Sequence, residues 1–227
     1  PLSSRWPLLA LRGGIGFLAL FCYFWAITHI RLADAQALQQ LAPVFVAFLS
    51  VLLLGERPGA VHYLLVSLCL VGALLVVHPT KGALSLPALV AVLSALFSSG
   101  AYISVRALTR TEPLSRIVMW FAVTGSLLAL PLVLPEWKWL SLRANVLLIT
   151  AGLLAAPAQS LMTAAYRFAP AHVASAFSYT NVPLAYLFGL FIWDERPDAW
   201  ANVGIGLIVL GGVLLLVSLG HHGKLNH

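Results

Sequence analysis

Charge is what this sequence has least of. Of its 227 residues, 9% are Asp, Glu, Lys or Arg, and only seven are acidic. Soluble domains carry about 25% charged residues. Here 61% of residues are hydrophobic and the mean hydropathy is +0.95. A chain of this size cannot hide that much apolar surface from water, so the sequence reads as an integral membrane protein. Cysteine is nearly absent too. Cys22 and Cys69 both fall inside apolar runs, where they read as small hydrophobes and not as a disulfide or metal pair. There is no HExxH, no Walker A sequence and no carboxylate deep in an apolar run. These absences argue against an intramembrane protease, an ATP-driven pump and a carboxylate-relay antiporter. No catalytic residue, metal or cofactor is expected. The net charge of +6 does not point to nucleic acid, because the basic residues sit in short loops between apolar runs.

What is present is long apolar segments. A spanning helix needs about 20 mostly apolar residues, whereas barrel strands would alternate over about 10. Eight spans are predicted, over 8–28, 34–54, 60–78, 84–107, 114–134, 144–168, 172–193 and 199–219. The breaks between them are short and carry turn residues, as in "GERPG", "HPTKGALS" and "DERPD". Trp137 and Trp139 flank Lys138 as expected at a membrane–water boundary.

One tripeptide occurs twice. Glu56-Arg57-Pro58 and Glu195-Arg196-Pro197 each close one apolar run and precede another, 139 residues apart. At that offset Gln36 meets Ser175, Gln40 meets Tyr179, and spans 1–3 correspond to spans 6–8. Spans 4 and 5 have no upstream counterpart. The unit is therefore five spans, complete in residues 81–227 with a short C-terminal tail, and represented in residues 1–80 by its last three. An odd-numbered unit makes successive copies insert in opposite orientation. With Pro1 in the cytoplasm, that side holds eight Lys/Arg and the other side five, which supports this orientation and a cytoplasmic C-terminus. The tripeptide itself reads as a structural joint. Pro suits the first turn of the following helix, Arg the last carbonyls of the preceding one, and Glu the next helix's N-terminus.

Two stretches carry a family resemblance. "LRGGIGFLALFCYFWAITHIRLADAQALQQLAPVFVAFLSVLLLGERP" followed by "LCLVGALLVVHP" resembles the third to fifth helices of EamA-like members of the drug/metabolite transporter superfamily. "HVASAFSYTNVPLAYLFGLFIWDERPDAWANVGIGLIVLGGVLLL" resembles the ninth and tenth. The resemblance implies an all-α polytopic fold of ten helices in two inverted five-helix repeats. Eight of the ten would be visible here, and two further helices are expected to precede Pro1. It also implies a secondary transporter of small metabolites such as amino acids, often outward, in the plasma (inner) membrane.

Polar residues inside apolar spans are the candidate site, because lipid makes them costly. Gln36 and Gln40 are four apart on one span, and Ser175 and Tyr179 hold the equivalent positions on another, with Ser178 and Asn181 nearby. The set either lines a substrate cavity or forms hydrogen bonds between helices. Ser94, Ser98 and Tyr102 recur every four residues, and Tyr102 is the substrate candidate of the three. Gln159 follows Pro157, a residue able to kink its span. Trp120 can cover an organic substrate or anchor at an interface. Arg12, about a turn inside the first span, is expected to snorkel to the cytoplasmic interface. With no deep fixed charge, a zwitterionic or neutral solute is expected. Gly13, Gly14, Gly16, Gly204, Gly206, Gly211 and Gly212 permit close helix approach, within the bundle or across a homodimer. The competing reading is a non-transporting membrane scaffold, its polar residues serving only as interhelical bonds.

Overall fold

The computed structural model describes residues 4–30, 32–56, 58–77, 85–184, 187, 191 and 199–224. Every regular element among them is helical, as the apolar runs predict. The helices are α1 (Trp6–Ile27), α2 (Leu32–Gln39), α3 (Ala42–Leu54), α4 (Ala60–Val77), α5 (Leu86–Leu108), α6 (Leu114–Val133), α7 (Leu142–Phe168), α8 (Ala171–Ala176) and α9 (Ala199–Lys224). Short 3-10 turns follow α6 at Leu134–Glu136 and α8 at Phe177–Thr180. Arg57, Lys81 and the second Glu-Arg-Pro, with the end of the seventh predicted span, lie outside the described residues.

Local chemistry sets several boundaries. Helices α1, α3 and α5 each carry Pro in the first turn, where a missing N–H is not needed. Ser141 caps α7 by accepting the Ala144 N–H at 3.3 Å. Gly55 ends α3 in the left-handed region at φ 65°, a conformation that a Cβ would disfavour.

The predicted continuous span 34–54 is in fact two helices, α2 and α3, interrupted at Gln40 and Leu41. The cause is Pro43. It offers no N–H to the carbonyl of Gln39, and its ring clashes with that carbonyl, so α2 stops there. The corresponding stretch of the second half is interrupted as well, with α8 giving way to a 3-10 turn before residues 181–184 continue as helix. The Tyr179 hydroxyl in that turn donates to the main-chain carbonyl of Gln40 at 3.0 Å, joining the two interruptions.

Among the described residues, four helices, α1, α5, α6 and α7, are long and apolar enough to cross a membrane. α1 packs chiefly on α5 and α6, and α4 on α9. One core gathers Leu9, Val46, Ile103, Leu108, Ile117 and Tyr166 from α1, α3, α5, α6 and α7. A second gathers Leu65, Cys69, Val173, Tyr179 and Ile208 around α4, α8 and α9. α6 and α7 leave most of their apolar surface exposed, including Leu127, Leu147, Leu153 and Leu161, a face suited to lipid. Trp137 and Trp139 stand exposed in the loop between these helices, as their boundary reading requires.

The α4–α9 crossing is reciprocal. A Cβ on Gly72 would lie 2.6 Å from the Gly204 carbonyl oxygen and 2.9 Å from Ile208, while one on Gly211 would meet Cys69 Sγ at 2.5 Å and the Leu65 carbonyl at 3.5 Å. Leu65, Cys69 and Gly72 thus face Gly211, Ile208 and Gly204 in reverse order, so the helices cross antiparallel. The Cys69 thiol lies 3.9 Å from the Ile208 carbonyl across a sequence separation of 139, and Gln40 and Tyr179 are separated by the same 139. Each glycine makes on one helix the contact that its partner makes on the other, the pattern of two elements about a two-fold axis.

Candidate functional site

A partly polar cavity lies between α1, α5, α6 and α7. It has a volume of about 70 Å³ and is bounded by Arg12, Gly16, Ser98, Tyr102, Phe121 and Gln159 among others. One water needs about 10–15 Å³ on this measure, so the space admits several waters or a small functional group.

Arg12 does not snorkel. It is 3% exposed, held inside the bundle, and therefore corrects the expectation that no fixed charge lies deep in the protein. Its Nη2 donates to Gln159 Oε1 at 3.2 Å, and its guanidinium carbon lies 3.8 Å from the centre of the Phe121 ring. The ring's negative face stabilises the cation there. Gly16 makes this location available, since a Cβ would come within 2.9 Å of both Arg12 Nη1 and the Phe121 ring.

Tyr102 and Gln159, both expected from the sequence, reach this cavity. Tyr102 also stacks on Tyr166 with ring centres 5.4 Å apart. Trp120 packs against the neighbouring apolar core and does not bound the cavity. The glutamines of α2 spread over different partners. Gln36 accepts the Tyr23 hydroxyl at 2.9 Å. Gln40 is buried, its carbonyl taken by Tyr179. Gln39, which the argument from four-residue spacing passed over, donates to Ser98 at 2.9 Å and accepts from Ser94 at 3.1 Å. Ser94 also lies 2.8 Å from the Ala19 carbonyl, so a polar seam joins α1, α2 and α5 beside the cavity. Ser175 is buried against the His172 carbonyl at 3.2 Å, whereas Ser178 is half-buried and Asn181 exposed. Tyr179 borders a small, mostly apolar pocket with Cys69 and Ile208.

A second polar cluster was read only as a local turn. Glu56 does not serve α4, the helix that follows it. Its carboxylate accepts the Ala171 N–H at the start of α8, at 3.1 Å and 3.0 Å to its two oxygens. It also meets His172 Nδ1 at 2.7 Å and accepts Arg106 Nε at 3.3 Å. Arg106 in turn donates to the carbonyls of Tyr166 and Arg167 at the end of α7, at 3.0 Å and 3.1 Å. One carboxylate thus ties together the ends of α3, α5, α7 and α8. His62 of α4 sits edge-on to His172, with ring centres 4.4 Å apart. Burial alone would raise the Glu56 pKa. The hydrogen bonds from His172, Ala171 and Arg106 outweigh it and hold the group below its ordinary value. The residue type was visible in the sequence, but its partners, between 50 and 116 positions away, were not.

Residues 1–78 and 85–217 match the EamA-like transporter family. The chain is 37% identical over 215 residues to the pseudopaline exporter CntI of Pseudomonas aeruginosa, covering 93% of this chain and 73% of that protein. This chain belongs to the EamA-like transporter family. Other EamA-like relatives include an uncharacterized transporter of Helicobacter pylori, 33% identical over 91% of this chain and 72% of that one. The riboflavin transporter of Rhizobium johnstonii is 29% identical over 84% of this chain and 63% of its own length. A solved crystal structure superposes with a TM-score of 0.81 at 21% identity, over 96% of this chain and 78% of that one, and shows the same fold. The protein is therefore a polytopic helical membrane transporter for a small molecule, and the EamA-like assignment sets aside the scaffold reading.

Proposed function

We propose that this transporter exports small polar-to-amphipathic metabolites by alternating access, in the plasma (inner) membrane with its C-terminus cytoplasmic. Two inverted units, residues 1–80 and 81–227, would rock about the axis between α4 and α9. The observation that carries this reading is the reciprocal contact of residues 139 apart, Gln40 with Tyr179 and Cys69 with Ile208. Interrupted helices meeting at a repeat axis are a recurrent way to build a transport site. Similarity to a named exporter supports outward movement. Gln36, Gln40, Tyr102, Trp120, Gln159, Ser175, Ser178, Tyr179 and Asn181 are retained as proposed site residues, with Tyr102 and Gln159 best placed by their position at the cavity. Gly13, Gly16, Gly72 and Gly211 are used inside the bundle, whereas Gly14 of α1 and Gly206 and Gly212 of α9 are open positions where a second copy would pack in a homodimer.

The test is transport by the full-length protein in everted membrane vesicles, screened with amino acids, pseudopaline and riboflavin. Protein-dependent accumulation of at least one solute, with slower movement in right-side-out vesicles, is expected. Accumulation only in right-side-out vesicles would replace export by uptake. No movement in either orientation would overturn the reading.

A further inference from the structure

We propose that Arg12 anchors a carboxylate group of the transported solute in the cavity between α1, α5, α6 and α7. This deepens the transporter reading above and rests on it.

The guanidinium is almost wholly enclosed, yet Nε and Nη1 have no hydrogen-bond partner among the described residues. Only Nη2 is engaged, by the neutral oxygen of Gln159. The acidic side chains that form ion pairs here, Glu56 and Glu112, are committed to other partners. A buried cation without an anion or a full set of acceptors is strongly unfavourable, and evolution retains such groups chiefly where something must bind. Phe121 covers one face of the guanidinium, and the absence of a side chain at Gly16 lets Nη1 and the Phe121 ring pack close against α1, with Arg12 bordering the cavity.

The cavity also has the donors that a carboxylate needs. Ser98 accepts the Gln39 amide at 2.9 Å, which leaves its own hydrogen free to donate, and the Tyr102 ring borders the same space. A single cation and about 70 Å³ suit one monoanionic, planar group. A phosphate dianion would bring a second negative charge that no other cavity residue could balance. The flat faces of Phe121 and Tyr102 suit an apolar or ring-bearing remainder. The neutral or zwitterionic solute expected from the sequence thus narrows to one with a free carboxylate.

The test uses the full-length protein in nanodiscs of phosphatidylcholine alone, which supplies no lipid carboxylate. The probes are sodium benzoate and its neutral counterpart, benzamide. Without probe, Arg12→Gln should melt no lower than wild type, because the substitution removes an uncompensated charge. Benzoate should raise the wild-type Tm and benzamide should not. Arg12→Gln should abolish the benzoate shift. Gly16→Ala, which crowds the guanidinium but keeps its charge, should weaken benzoate binding by roughly tenfold. A large fall in Tm for Arg12→Gln without probe would show a structural arginine and overturn the proposal. Equal shifts from benzoate and benzamide, or no benzoate shift, would do the same. The two readings fail separately. If Arg12→Gln transports a carboxylate solute as fast as wild type, the anchor falls and the transporter stands. If benzoate binding depends on Arg12 but no solute moves, only the transport reading falls.

Discussion

Replacing Glu56 with alanine is expected to lower stability by about 3 kcal/mol, the low end of what removing one partner of a buried ion pair costs. Arg106 keeps its two main-chain acceptors, and this restrains the loss. The Ala171 N–H and His172 lose their partner outright. Glu56→Gln, which still offers an oxygen to Ala171, should lose about half as much. The pH dependence follows from the lowered pKa. The carboxylate is held below its ordinary value of 4.5 in the folded protein. Its charge therefore contributes fully above that value, and the contribution declines as pH falls through 4.5 toward the folded-state pKa. Unfolding in detergent from pH 7 down to pH 3 should show this slope in wild type and a shallower one in Glu56→Gln. Equal slopes would mean that the network is not the source.

The second large effect lies at the α4–α9 crossing, where the two glycines should respond unequally. A Cβ on Gly72 meets the main-chain oxygen of Gly204, which can yield only if the helices separate. Gly72→Ala should cost about 1–3 kcal/mol despite the better helix propensity of alanine. At Gly211 the obstacle is the Cys69 thiol, a side chain able to rotate or be removed. Gly211→Ala should therefore be mild, and Cys69→Ala added to it should restore the wild-type Tm. Cys69→Ala should do nothing for Gly72→Ala. A rescue of both, or of neither, would show that the crossing is not packed as described.

Helical content and most span limits were legible because apolar runs of about 20 residues leave little choice in lipid. Pro43 was equally visible, but treating 34–54 as one run hid the break it imposes. Gln36 and Gln40 still lie one helical turn apart, the Gln40 N–H meeting the Gln36 carbonyl at 3.2 Å, and Gln39 was passed over because the reading followed a four-residue spacing. Arg12 was misread for a different reason. Its place near a helix start suggests an interfacial side chain, and only the approach of Phe121 and Gln159 from distant helices encloses it. Glu56 was recognised as part of a turn, which Gly55 does form. Its bonds to α5 and α8 depend on tertiary assembly and leave no local trace. The separation of 139 between the two Glu-Arg-Pro tripeptides needed only the sequence, and it is also the separation of residues in direct contact.

The central claim is that the chain is built from two units of opposite orientation. Single cysteines at Gly59 and Asp198, in a full-length background lacking Cys22 and Cys69, test it most directly when labelled with a membrane-impermeant maleimide in sealed vesicles. The account predicts that right-side-out vesicles label only position 198 and everted vesicles only position 59; labelling of both positions from the same face would contradict it.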